Sequence, residues 1–151
     1  MADIKVIATN RRARYDYDIQ DEFEAGLVLT GSEVKSLRAG KANLKDSFGH
    51  LRDGEMWLVG AYIGPYSFAR EGGHDPERSR KLLLHRHQID RIAGQLAEKG
   101  LTLVPMRLYF KDGRAKVQIG LGKGKRRIDK RADLRRKEHE REMQRATRRV
   151  R

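Results

Sequence analysis

Four short stretches concentrate the groups that could do chemistry in this chain: Asn10-Arg11-Arg12-Ala13-Arg14, Lys35 to Lys41, Arg78-Ser79-Arg80-Lys81, and Lys123-Gly124-Lys125-Arg126-Arg127. Each packs guanidinium or ammonium donors within a few residues, the arrangement that holds phosphate oxygens rather than breaks bonds. Any one of them reads equally well as ordinary solvated charge. All four sit in a chain with 34 Lys and Arg against 21 Asp and Glu, a net charge of +13, and a pI near 10.3. That balance points to a polyanionic partner, with RNA, DNA and a ribosomal surface all open on composition alone.

Catalytic constellations are harder to find. The five histidines, His50, His74, His85, His87 and His139, form no HExxH or other metal-ligand spacing. His85 and His87 would point the same way only on a strand, and read as polar surface. Gly120-x-Gly122-x-Gly124-Lys125 approaches a phosphate loop but has Ile119 where the pattern needs glycine and Arg126 where it needs Ser or Thr. With no cysteine there is no thiolate nucleophile, thiolate zinc site or disulfide. No catalytic residue, metal or cofactor is expected, and an enzyme such as a nuclease is the weaker class of reading.

Something must hold the basic groups in place, and the pattern is mostly β. Ala115, Val117, Ile119 and Leu121 alternate with Lys116, Gln118 and Gly120, the period of a half-buried strand. Asp112-Gly113 separates this run from Leu101 to Phe110, where Val104, Met106, Leu108 and Phe110 are expected to share a face, so a hairpin is predicted. Asp53-Gly54 gives the same signal between Leu44–Leu51 and Met56–Ile63. Leu27 to Thr30 and Tyr15 to Ile19 add shorter strands. Thr30-Gly31-Ser32-Glu33 fits a capping box opening a short helix with Lys35 and Arg38 on one face and Gly40 as its stop. Ile89, Ile92, Ala93 and Leu96 predict a second helix from Arg86 to Lys99, closed by Gly100. Short strands joined by hairpins with helices between them suggest a small closed or partly closed barrel.

The charge is uneven. The last 30 residues, from Gly122, hold 14 basic and 5 acidic residues, a net +9, and few apolar side chains. The division expected is a barrel domain over 1–121 and a basic tail over 122–151 that cannot offset its own ordering entropy, is disordered when free and forms a helix on the ribosome. The apolar runs are far shorter than a membrane span and no signal sequence opens the chain, so a cytoplasmic protein is expected.

Longer strings are recognisable. Asn10-Arg11-Arg12-Ala13, the run Phe23-Glu24-Ala25-Gly26-Leu27-Val28-Leu29-Thr30-Gly31-Ser32-Glu33-Val34-Lys35-Ser36-Leu37-Arg38-Ala39-Gly40, Asp75-Pro76-Glu77-Arg78-Ser79-Arg80-Lys81-Leu82-Leu83-Leu84, and Gly120-Leu121-Gly122-Lys123-Gly124-Lys125 followed by Asp129-Lys130-Arg131 resemble the SsrA-binding protein (small protein B) family. The resemblance runs from about Asn10 to Arg131. It implies an oligonucleotide-binding (OB-like) antiparallel β-barrel with flanking helices that binds transfer-messenger RNA as a monomer. It also implies delivery of that RNA to stalled ribosomes in trans-translation, the protein and RNA together imitating a tRNA. No DNA or membrane partner is implied. A general RNA-binding or ribosome-assembly protein with the same barrel is the alternative.

By the same resemblance Asn10, Glu24, Leu83 and Lys116 belong to the RNA-facing surface; Arg11, Arg12, Lys35 and Arg38, from the basic stretches, are expected to bind RNA as well. Lys116 also follows from strand alternation, since it points away from the Val117 and Ile119 face; a solvated strand lysine is the other reading. Asn10 could meet base edges or be a turn residue. Glu24 must accept from base amino groups or hold a cation, because a carboxylate repels phosphate. Leu83 could stack on a base or join the core. Lys123, Gly124, Lys125, Asp129, Lys130 and Arg131 would bring the tail to the ribosome, against small-subunit RNA of the decoding region and the empty message channel. Ile128 stands where the family often has an aromatic residue or histidine.

Overall fold

The computed structural model describes residues 3–66, 73–125 and 127–149. Nine strands and four helices follow in the order β1 (Ile4–Thr9), α1 (Ala13–Asp16), β2 (Tyr17–Leu27), α2 (Gly31–Arg38), β3 (Ala42–Asn43), β4 (Phe48–Arg52), β5 (Glu55–Val59), β6 (Tyr62–Ile63), β7 (Arg80–Leu83), α3 (Arg86–Lys99), β8 (Thr102–Lys111), β9 (Arg114–Gly124) and α4 (Arg127–Arg149). The protein is mainly β with short helices. The larger sheet is antiparallel in the order β1-β8-β4-β5-β7-β2-β9, and β8 also pairs with β9, so six of its strands form a ring with β1 added at β8. β3 and β6 make a separate two-stranded ribbon.

Both Asp-Gly turns form the hairpins their sequences predict. Asp53 and Gly54, and likewise Asp112 and Gly113, have positive φ at both central positions, the two-residue geometry that matches strand twist. Inside the ring, Leu58, Leu82, Leu108, Val117, Ile119 and Leu121 are buried, joined by Leu37 of α2 and Ile92 of α3. The capping box at Thr30 and the left-handed Gly100 end their helices as expected.

Two bulges alter the faces read from the sequence. Val104, Met106, Leu108 and Phe110 do not share one: the register slips between Pro105 and Arg107, and one extra residue reverses which side the chain presents. Leu108 and Phe110 therefore enter the ring core, while Val104 and Met106 pack with Ala13, Tyr17 and Ile19 in a small cluster outside it. A matching slip between Ile19 and Asp21 in β2 sends Ile19 to that outer cluster and Ala25 inward. The glycine-rich string is strand, not loop. Gly120 and Gly122 lie in β9 where an added Cβ would stand 2.8 Å from Met106 Sδ and 2.9 Å from Ile19 Cδ1, so glycine there admits the outer cluster.

β9 runs to Gly124, three residues beyond the boundary expected at Leu121. Gly122 pairs with Ile19 and Thr102, Lys123 with Asp18, and Gly124 with Tyr17. Then α4 begins, and its side chains from Leu134 to Ala146 are exposed.

Candidate nucleic-acid interface

On β2, β8 and β9 the side chains that alternate away from the core make one continuous outer face. The pairing register puts Leu83 of β7, Gly26 of β2, Lys116 of β9, Tyr109 of β8 and Val6 of β1 in a row across five strands. The adjoining row is Glu24, Gln118, Arg107 and Thr9. Glu24, Lys116 and Leu83, expected together, are therefore neighbours. Leu83 is 52% exposed whereas Leu82 beside it is buried, which decides between base contact and core in favour of the surface.

Glu24 is held by the protein itself. Tyr109 donates its hydroxyl to Glu24 Oε2 at 2.5 Å, and Lys111 Nζ lies 3.4 Å from Oε1. The Tyr109 hydroxyl above all, and after it Lys111 and Lys116, keep this carboxyl below the ordinary carboxylate range against the opposing effect of partial burial. Burial and the Glu24 carboxylate push Tyr109 well above the ordinary tyrosine value. Arg107 lies over the Tyr109 ring, 5.2 Å from its centroid, and donates to Gln118 Oε1 at 3.2 Å. Gln118 donates to Glu22 at 3.1 Å, and Arg14 pairs with Glu22 at 2.7 Å. The face thus offers cations (Lys111, Lys116, Arg107) around one fixed anion, with Leu83, Val6 and Ile4 as exposed apolar contacts. Phosphates, base amino groups and base faces each find a partner on such a surface.

Asn10, Arg11 and Arg12 follow Thr9, at the β1 end of the row that starts at Glu24. They line a cleft of about 620 Å³ together with Tyr17, Lys45, Phe48 and Leu103. The Asn10 amide donates to Pro105 O at 2.9 Å and its backbone N–H to Met106 O at 2.8 Å, pinning the corner after β1. Arg12 pairs with Asp16 at 3.4 Å and lies 5.0 Å from the Tyr15 ring centroid. Thr9, which ends the row of Glu24, Gln118 and Arg107, also lines this cleft, so these three residues lie at the β1 end of that face.

Of the basic stretches, Arg78 to Lys81 is structural rather than RNA-facing. Arg80 and Glu33 are both fully buried and joined at 2.6 Å. Arg80 also donates to Ala61 O at 2.6 Å, and Arg78 reaches the other Glu33 oxygen at 2.6 Å. Burial opposes the Glu33 charge, but Arg78, the Thr30 N–H and Arg80 outweigh it and hold the carboxyl below its ordinary value. Lys81 pairs with Glu55 at 3.2 Å. Lys35 and Arg38 are exposed on α2, with Lys35 Nζ 5.4 Å from the Tyr66 ring. Lys123 and Gly124 close β9. Lys125 donates to Arg14 O at 2.8 Å and its N–H to Asp16 O at 2.9 Å, tying the start of the tail to α1. Arg131 is exposed; Arg126 and the side chains of Ile128, Asp129 and Lys130 lie outside the described residues.

A family model described as SmpB protein matches residues 7–149. The chain belongs to the SmpB family. Among curated relatives, the SsrA-binding proteins of Desulforudis audaxviator (strain MP104C) and Nostoc sp. (strain PCC 7120 / SAG 25.82 / UTEX 2576) are each 54% identical to it, covering 95% and 94% of this chain and 94% and 92% of their own. A chain of the solved structure "tmRNA-SmpB: a journey to the center of the bacterial ribosome" is 50% identical, with a TM-score of 0.67 over 85% of this chain and 94% of that one. Against this SmpB-family background, the sequence reading overlooked Arg107, Tyr109 and Lys111. Their signal was present, because in Arg107-Leu108-Tyr109-Phe110-Lys111 the polar residues alternate with apolar ones, opposite the face expected for Leu108 and Phe110.

Proposed function

We propose that this chain binds transfer-messenger RNA and brings it to ribosomes stalled on broken messages, acting by placement and without bond-breaking chemistry. The observation that carries the reading is the outer face where Glu24, Lys116 and Leu83 meet, in a chain 50% identical to one of the tmRNA-SmpB structure. On this reading the ring of strands is an OB-like barrel, the protein works in the cytoplasm as a monomer on the RNA, and Lys116 contacts phosphate. Ionised Glu24, steadied by Tyr109, accepts from base amino groups, and Leu83 meets an unpaired base. The tail's helix α4, exposed from Leu134 to Ala146, does not persist in the free protein and is stable only in the empty message path. There its basic residues, Lys123, Lys125, Lys130 and Arg131 first, exchange mutual repulsion for ribosomal phosphate.

The test is capture of the tagged full chain from a bacterial lysate followed by RNA sequencing. One dominant transcript, the tRNA-like messenger, is expected, together with ribosomal RNA of stalled particles. A broad mixture of messenger and ribosomal RNA, with no enrichment of that transcript, overturns the reading in favour of a general RNA-binding or ribosome-assembly protein.

A further inference from the structure

Round the six-strand ring, β4 and β5 stand opposite β2 and β9, the strands that carry Glu24, Lys116 and Gln118. We propose that the outer face of β4, β5 and β7 docks a protein segment that brings one carboxylate to Arg52 and an apolar side chain to Trp57 and Phe48. This goes beyond the RNA reading and does not depend on it.

Alternation makes the face. Met56 and Leu58 of β5 and Leu82 of β7 turn into the core, so Glu55, Trp57 and Val59, with Lys81 of β7, turn outward. On β4, Phe48, His50 and Arg52 are exposed. The register sets His50, Trp57 and Lys81 in one row, Phe48 opposite Val59, and Arg52 opposite Glu55. Trp57, the one tryptophan of the chain, thus stands half-buried on the middle strand of this face. Phe48 is 44% exposed. Aromatic rings and arginine gathered at the centre of a patch are the composition of protein-interface hot spots.

Charge decides the kind of partner. Arg52 lies over the Trp57 ring, 5.1 Å from its centroid, and has no hydrogen-bond or ion-pair partner among the described residues. Stacking fixes the plane of the guanidinium and leaves its N–H fork open at the edge, a two-point fit for a carboxylate. Lys81 is already held by Glu55 at 3.2 Å, and Arg86 donates to Gly54 O at 2.9 Å. Asp53 and Glu55 balance Arg52 and Lys81, in a chain whose net charge is +13. A run of phosphates laid here would meet both of those carboxylates along with Arg52, and the ring face that Arg52 covers is closed to a stacking base. One carboxylate among apolar groups fits the open fork without that repulsion. RNA on β2 and β9 leaves this side of the ring uncovered, so the chain can hold both partners at once.

The experiment uses the full chain carrying a benzophenone amino acid in place of His50, irradiated in a bacterial lysate, treated with ribonuclease afterwards and resolved by mass spectrometry. One dominant cross-linked protein is expected, joined through a peptide that contains Asp or Glu. Arg52→Glu should lower its yield about tenfold, and changing that acidic residue of the partner to Lys should restore it. Should Arg52→Glu lower the melting temperature, Arg52→Gln, which removes the charge alone, reads the same loss. A product that ribonuclease shortens assigns the face to RNA and overturns the proposal. So does a yield indifferent to Arg52, a reversal that restores nothing, or the absence of any cross-link. Each of these outcomes leaves the RNA reading standing, since that reading is decided by which transcript the chain captures.

Discussion

Glu24 shows how a carboxylate can be useful on a surface meant for polyanions. Ionised, it accepts from Tyr109 and steadies Lys111, so the negative charge is spent locally and a lone pair stays available to a base. Because its folded value lies below the ordinary 4.5, the stability it contributes is complete above about that pH and is lost as pH falls through the folded value. Tyr109→Phe keeps the ring under Arg107 and removes only the donor. It should cost about 1 kcal/mol at pH 7 in urea unfolding, the low end for a bond to charge because Glu24 is partly exposed. The gap from the unsubstituted protein should shrink below pH 4.5, and a gap constant down to pH 3 would contradict the assignment. The same variant should make RNA binding fail at higher pH as acid is added. Lys116→Ala, by contrast, should weaken RNA binding and reduce its salt slope by about one counterion with a smaller shift of the unfolding midpoint than Tyr109→Phe, since Lys116 is the last-ranked of the groups that lower Glu24; an unchanged slope removes Lys116 from the contact.

At the scale of elements, the Glu33 and Arg80 pair joins α2, β7 and the turn at Ala61 through a carboxylate that leaves no oxygen unpaired. Removing one partner of such a pair leaves the other charged in the core. Glu33→Gln should therefore destabilise the protein by about 3–5 kcal/mol, measured by urea unfolding, with little change in RNA affinity under conditions where it remains folded; a loss below 1 kcal/mol would mean that water reaches the site. The sequence displayed Glu33 only as a helix cap, since nothing local tells that residues 45 and 47 positions later return to it. Local signals were legible where the physics is local: both Asp-Gly hairpins, the capping box, Gly100, and the alternation of Val117, Ile119 and Leu121. β1 was missed because Ile4, Val6 and Lys5 are all exposed on a strand with one neighbour. Most of β2 was hidden by its bulge after Ile19, which breaks the period of two. Site residues followed the same division. Glu24, Leu83 and Lys116 were legible through family resemblance and do meet, whereas the place of Asn10 at the β1 end of their face depends on pairing across β1, β8 and β9 that no linear spacing encodes.

The whole molecule is a ring with one basic helix leaving it, and where the ring ends can be measured. A chain stopped after Leu121 loses the pairing of Gly122 to Gly124 and both bonds from Lys125 to α1. A chain stopped after Lys125 keeps them. The longer truncation product should melt at the temperature of the full chain and the shorter one several degrees lower, while neither supports peptide tagging by stalled ribosomes; equal melting temperatures would put the boundary at Leu121 after all. The ring has a further consequence, in time rather than space. β8 is the partner of β1, β4 and β9, and β9 is the long partner of β2, yet both are made near the end of the chain. Gly26 of β2 is made 90 residues before its β9 partner Lys116, and Ile4 of β1 107 residues before its β8 partner Lys111. For most of translation, at about 5–20 residues per second, β1 has no native neighbour and β2 only its short pairing with β7, and closing the ring must wait for the 112–113 turn to bring β8 and β9 back to them. Closing loops of that span makes folding slow for a domain of this size. A ribosome that halts before that turn releases a chain with unpaired strand edges, unable to form the ring.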